Sequence, residues 1–176
     1  MRKPYHLALL ASLQLAASPS GGEMEEYRLK ALFLYNFTQF IEWPVDAFKD
    51  PNDALSICVV APTPFETGEL ERAIKGKQLA SHPLASRLIP DASQSAGCHI
   101  VFVSSASIKQ GKSVMVDPRQ TGLLTVGEVP GFATGGGVIN FLVKNGHVRL
   151  EINPASAERC KLRVSAKLLK LAEIVK

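Results

Sequence analysis

The apolar positions of this chain change period several times, and each change predicts an element. Between residues 25 and 41, Leu29, Leu32, Phe33, Phe37, Phe40 and Ile41 recur at helical spacing. They predict an amphipathic helix with that stripe turned inward. Glu25 and Glu26 suit its positive N-terminal end, and Trp43-Pro44 closes it, because the residue before a proline resists helical torsions. Residues 55–60 form a short apolar run bounded by Asp53 and Pro62, the pattern of a buried strand. Residues 65–75 read as a helix stopped by Gly76, 84–89 as a weak strand, 98–103 as a strong one, 105–116 as a short helix and 123–126 as a further strand.

The clearest local signal follows. Residues 138–143 and 147–152 are strands joined by Asn145-Gly146, two residues that tolerate positive φ and so make a tight hairpin turn. Val148, Leu150 and Ile152 face one side of the second strand, Arg149 and Glu151 the other. Asn153-Pro154 supplies a cap and a first helical residue. A last helix starts near Ser165, with Leu168, Leu169, Ala172 and Val175 as its stripe. Strands alternating with helices up to residue 126, then a hairpin, predict an α/β fold: a mixed sheet, parallel at its core, ending in an antiparallel hairpin and flanked by helices.

Composition changes this picture at the N-terminus. The 176 residues suffice for one domain, and 46% hydrophobic with 20% charged residues suits a packed core. Arg2 and Lys3 precede an apolar stretch from Leu7 to Ala17, and the small residues Ala16 to Gly22 follow. That is the tripartite pattern of a signal peptide. Residues 1–22 are therefore expected to be removed, with cleavage between 17 and 22, leaving 23–176 as a single domain. The apolar stretch is too short for a membrane span.

Charge is uneven along the remainder. Residues 144–176 carry eight basic and three acidic side chains, a net of +5, whereas 23–143 carry a net of −3. Arg149, Glu151, Arg159, Lys161 and Arg163 cluster in sequence between apolar segments and form the candidate partner-binding face. Nucleic acid is not expected as a partner, since the basic residues lack interleaved aromatics.

No nucleophile elbow, Ser-x-x-Lys pair, zinc-protease helix or phosphate loop occurs. No catalytic residue, cofactor or metal is expected. His99 lies inside an apolar strand and reads as a satisfied structural histidine. Gly135-Gly136-Gly137 precedes a strand and lacks the helix N-terminus that holds a phosphate, so it reads as a flexible strand entry or bulge. The acidic residues of 42–53 read as a solvated loop. In an oxidising compartment two of Cys58, Cys98 and Cys160 can pair, and their spacing matches no zinc signature. Cys58 and Cys98 each lie in or beside a buried strand, within bridging reach if those strands are neighbours. Such a bridge closes a loop of about 40 residues, worth about 4 kcal/mol in the chain-entropy model. Cys160 is expected to be a partly buried free thiol on a helix.

Five segments together resemble the YfiR family: KALFLYNFTQFIEWP at 30–44, ICVVAPTPF at 57–65, GCHIVFVS at 97–104, LLTVGEVPGFATGGGVINF at 123–141 and VRLEINPASAERCKLRVSAKLLKLAEIV at 148–175. The resemblance implies a periplasmic α/β protein that forms homodimers. It implies restraint of an inner-membrane diguanylate cyclase through the enzyme's periplasmic region, relief by an OmpA-like outer-membrane lipoprotein, and control of cyclic-di-GMP, biofilm and motility. It also implies a disulfide between Cys58 and Cys98. Other members carry a second cysteine pair near the first hairpin strand; residues 132–140 hold none here. The competing expectation is a periplasmic small-ligand-binding module feeding a sensor kinase or transport system, with a concave site near residues 135–137. A hydrolase lacks a nucleophile–base pair to support it.

Overall fold

The computed structural model describes residues 21–111 and 120–176. Most of the expected signal segment, and residues 112–116 of the expected 105–116 helix, lie outside them. The long helix α1 runs Gly21–Phe40, followed by the two-residue strand β1 (Ile41–Glu42) and a 3₁₀ turn at Val45–Ala47. Next come β2 (Leu55–Val60), α2 (Glu69–Ile74), β3 (Gln78–Leu79) and β4 (His82–Ile89). Strand β5 (Ile100–Val103), α3 (Ser105–Lys109) and β6 (Leu124–Gly127) follow. The hairpin is β7 (Ile139–Lys144) and β8 (His147–Ile152), and the chain ends with α4 (Pro154–Arg159), β9 (Arg163–Val164), α5 (Ala166–Leu169) and β10 (Ala172–Ile174).

Eight strands form one sheet in the order β10-β8-β7-β6-β5-β2-β4-β3, and β1 pairs with β9 separately. Strands β4, β2, β5, β6 and β7 are parallel, β8 reverses, and β10 lies parallel to β8. The expected mixed sheet with a parallel core is thus present. Alternation along the strands divides the interior. Ile57, Val59, Ile100 and Phe102 pack toward α1, α2 and α4, whereas Cys58, Val60, Val101 and Val103 pack with Ala92, Leu123 and Phe132 on the other face.

Two expectations about faces are corrected. Leu29 and Leu32 are 40% and 44% exposed; the buried side of α1 is Lys30, Ala31, Leu34, Phe37 and Thr38, continued by Ile41. Hydrophobicity alone misplaced the face because a lysine and a threonine find partners inside. At the C-terminus the helical stripe ends early. Leu168 is buried in α5, but Ala172 belongs to β10, because residues 172–174 pair in register with Leu150, Glu151 and Ile152. An open sheet edge outcompeted the weak local helical preference. The helix expected at 65–75 is shortened to Glu69–Ile74.

Candidate functional site

The strand order reverses between β2 and β5: the chain passes from β2 to β4 on one side, returns to β5 on the other, and continues to β6 and β7. In open α/β sheets the crevice at the carboxyl ends of such strands is the usual ligand position. A buried polar cluster lies there. Glu128, just past β6, accepts hydrogen bonds from the Tyr27 hydroxyl at 3.0 Å, the Lys30 ammonium at 2.6 Å and the Ser105 amide at 2.8 Å. The Lys30 and Glu128 side chains are 4% and 3% exposed, and Glu26 also binds the ammonium. Burial, reinforced by Glu128, pushes the Tyr27 phenol far above its ordinary value, so it is a fixed donor and not a base. Beside it Ser107 donates to the Val60 carbonyl at 2.8 Å and meets Ser104 at 2.8 Å. These groups tie α1 and the start of α3 to the sheet. Local patterning offers no signal for them, since Lys30 and Glu128 are 98 positions apart.

The triple glycine has a packing role. The Gly135 and Gly137 amides bond back to the Gly131 and Phe132 carbonyls, wrapping the chain around the Phe132 ring. A Cβ at Gly127 or Gly137 would overlap that ring. The flexible strand entry expected there is therefore an ordered turn. A cleft of about 420 Å³ lies elsewhere, between the first turn of α1 and the start of α2, lined by Arg28, Glu69 and Arg72 among others. The Glu69 Oε2 atom is buried there without a hydrogen-bond partner.

Cys58 and Cys98 are bonded, with Cα atoms 5.8 Å apart. The Arg87 guanidinium lies 3.1 Å from the Cys98 sulfur and donates to the Ala96 carbonyl at 2.7 Å. Cys160 is a half-buried free thiol at the end of α4, and burial raises its pKa against the pull of Arg159. His99 is satisfied on both nitrogens, as its apolar strand implied: Nδ1 accepts the Ser56 amide at 3.1 Å and Nε2 meets the Ala47 carbonyl at 3.1 Å.

The five charged candidate residues fall into two groups. Arg149 and Glu151 lie on the sheet face opposite Leu150 and Ile152, where Glu151 accepts from Asn140 at 3.0 Å. That face also carries the exposed Lys144–Glu173 pair at 2.7 Å, which was not singled out from the sequence. Arg159, Lys161 and Arg163 form an exposed run beside β1. Arg163 stands opposite Glu42, and Lys161 lies 3.9 Å from Asp46. The structure brings these three together and leaves Arg149 and Glu151 on the far side of the sheet.

Among the described residues no three His, Cys, Asp or Glu side chains converge as a metal site requires, and no helix is long and apolar enough to cross a membrane. A family model described as YfiR/HmsC-like matches residues 27–173. No curated protein matches the chain. Among solved structures, the ABC domain in complex with L-Trp from Streptococcus pneumonia aligns at 8% identity with a TM-score of 0.41. The alignment covers 74% of this chain and 58% of that one, so the chain spans under two thirds of that protein's length. A likeness at this level carries no functional argument.

Proposed function

The chain belongs to the YfiR/HmsC-like family, and from that membership we propose that it is an exported regulatory binding protein of the periplasm. In this reading it restrains an inner-membrane signalling protein, a diguanylate cyclase, by binding that enzyme's periplasmic region, and an OmpA-like outer-membrane lipoprotein releases the restraint. It thereby sets cyclic-di-GMP, biofilm and motility without catalysing a reaction itself. The observation that carries the reading is the family match across nearly the whole described chain. The buried Cys58–Cys98 bridge supports it, because such bonds persist in oxidising compartments.

The exposed run Arg159, Lys161 and Arg163 is the proposed recognition surface, with Arg149 and Glu151 as a second, separate patch. Charge at such a surface mainly sets recognition and association rate. Binding of the purified protein to the cyclase's isolated periplasmic region tests the proposal. Reversing Arg159, Lys161 and Arg163 together should weaken binding at least tenfold and flatten its salt dependence. Unaltered binding would exclude this run; no binding by the unsubstituted protein would overturn the function.

A second reading, a small-ligand module, is favoured by the cleft that Arg28, Glu69 and Arg72 line, beside which one Glu69 oxygen is buried without a hydrogen-bond partner. It predicts a thermal shift with a zwitterionic metabolite that substitution of Arg28 and Arg72 by Ala abolishes.

A further inference from the structure

Phe48 is held between two imidazoles. Its ring centroid lies 3.7 Å from that of His82 and 4.5 Å from that of His99, with interplanar angles of 14° and 19°. The two histidines hold their protons differently. The Asp53 carbonyl can only accept, so His82 Nδ1, 2.8 Å away, must be the donor. The Ser56 amide can only donate, so His99 Nδ1 must be bare, and its Nε2 proton goes to the Ala47 carbonyl. His99 also donates its own amide to the Ser56 carbonyl at 2.9 Å, so its side chain adds one rung to the β2–β5 ladder. Through Ala47, Phe48 and Asp53, these contacts fasten the segment after α1 onto the sheet. Its crest is Val45, 99% exposed, and its Asp46 pairs with Lys161.

We propose that residues 44–53 form an acid-released latch, closed by neutral His99 and opened when His99 takes a second proton on Nδ1. A proton there points at the Ser56 N–H across 3.1 Å, so the ring must leave its seat and carry Phe48 and Ala47 with it. Protonation of His82 breaks no hydrogen bond that it makes. The charged groups that act on the ring are His82 on β4 and Asp53 in the segment itself. Burial lowers the His99 pKa from 6.5; the Ala47 carbonyl opposes this, the His82 cation adds to it, and Asp53 opposes it. A folded value below the unfolded one means that the stabilisation is complete above pH 6.5 and is lost as pH falls through the folded value. Opening moves Asp46 away from Lys161 and so alters the surface proposed to meet the partner; the latch itself does not depend on that proposal.

Hydrogen exchange of the purified protein from pH 8 downward tests this, read as protection factors so that the intrinsic pH dependence cancels. Protection at residues 46–50 should fall by up to about tenfold per pH unit between pH 6.5 and the lowered folded value, the slope of one proton, and level off below it, while β5 and β6 stay protected. Fluorescence of Trp43, the chain's single tryptophan, should change over the same pH range. In His99→Asn the carboxamide oxygen still accepts from Ser56 but cannot titrate, so both signals should become independent of pH. A flat wild-type profile, a transition that survives His99→Asn, or simultaneous loss of β5 and β6 protection overturns the latch. Should His99→Asn not fold, the wild-type ring decides: a His99 imidazole resonance that titrates at the midpoint of the protection loss supports the latch, and one that titrates elsewhere refutes it.

Discussion

Glu128→Ala is the most informative single substitution in the core. It removes the acceptor of three donors, the Lys30 ammonium, the Tyr27 hydroxyl and the Ser105 amide. Lys30 would remain 4% exposed with Glu26 as its one remaining carboxylate. Removing one partner of a buried ion pair costs about 3–5 kcal/mol, because the other charge is left uncompensated. For a chain of this size each kcal/mol moves the thermal midpoint by about 2–4 °C, so the midpoint should drop by about 6–20 °C. Urea unfolding gives the free energy directly. The double variant Lys30→Met/Glu128→Gln removes both charges and keeps an acceptor for Tyr27 and Ser105. It should be more stable than the sum of its single substitutions predicts, by about 1.5 kcal/mol or more. A Glu128→Ala cost under about 1 kcal/mol, or strictly additive losses, would show that the Lys30–Glu128 pair is not buried in solution.

Phe37 is fully buried between the Phe33 and Phe141 rings, so Phe37→Ala should cost about 3–5 kcal/mol. Leu32→Ala, on the outer face, should stay within about 0.5 kcal/mol in the same unfolding assay. Cys98→Ser should cost about 2–5 kcal/mol, and non-reducing peptide mapping should recover a single bridge between the Cys58 and Cys98 peptides. Cys160 should alkylate slowly near neutral pH, since its thiol is held protonated. Gly137→Ala should cost about 1–3 kcal/mol by displacing the Phe132 ring, and adding Phe132→Leu should recover part of the loss.

The elements easiest to read in the sequence are those whose causes are local. The β7–β8 hairpin follows from alternation and from Asn145-Gly146, and both turn residues do adopt positive φ. The start of α4 follows from Asn153, whose side chain accepts the Ser156 amide at 3.0 Å. Errors arise where a distant partner decides. The inward face of α1 carries Lys30 because Glu128 arrives from the far end of β6, and apolar spacing cannot register that. Residues 172–174 keep a helical pattern of apolar residues, yet the free edge of β8 recruits them as a strand. The glycines at 127 and 137 are ten positions apart and signal nothing singly; their common cause is the Phe132 ring lying against both. Of the charged candidates, Arg159, Lys161 and Arg163 are close in sequence and all exposed. Sequence adjacency grouped Arg149 and Glu151 with that run only because linear distance ignores which face of the sheet a residue occupies.

Restraint of a diguanylate cyclase from the periplasm should be visible in cellular cyclic-di-GMP. The nucleotide is quantified in the native host with the chain present, deleted, and restored either intact or without residues 1–22. Cyclic-di-GMP should rise on deletion, return to the starting level with the intact chain, and not return with the version that cannot be exported. Unchanged cyclic-di-GMP on deletion, or full restoration by the unexported version, would contradict that restraint.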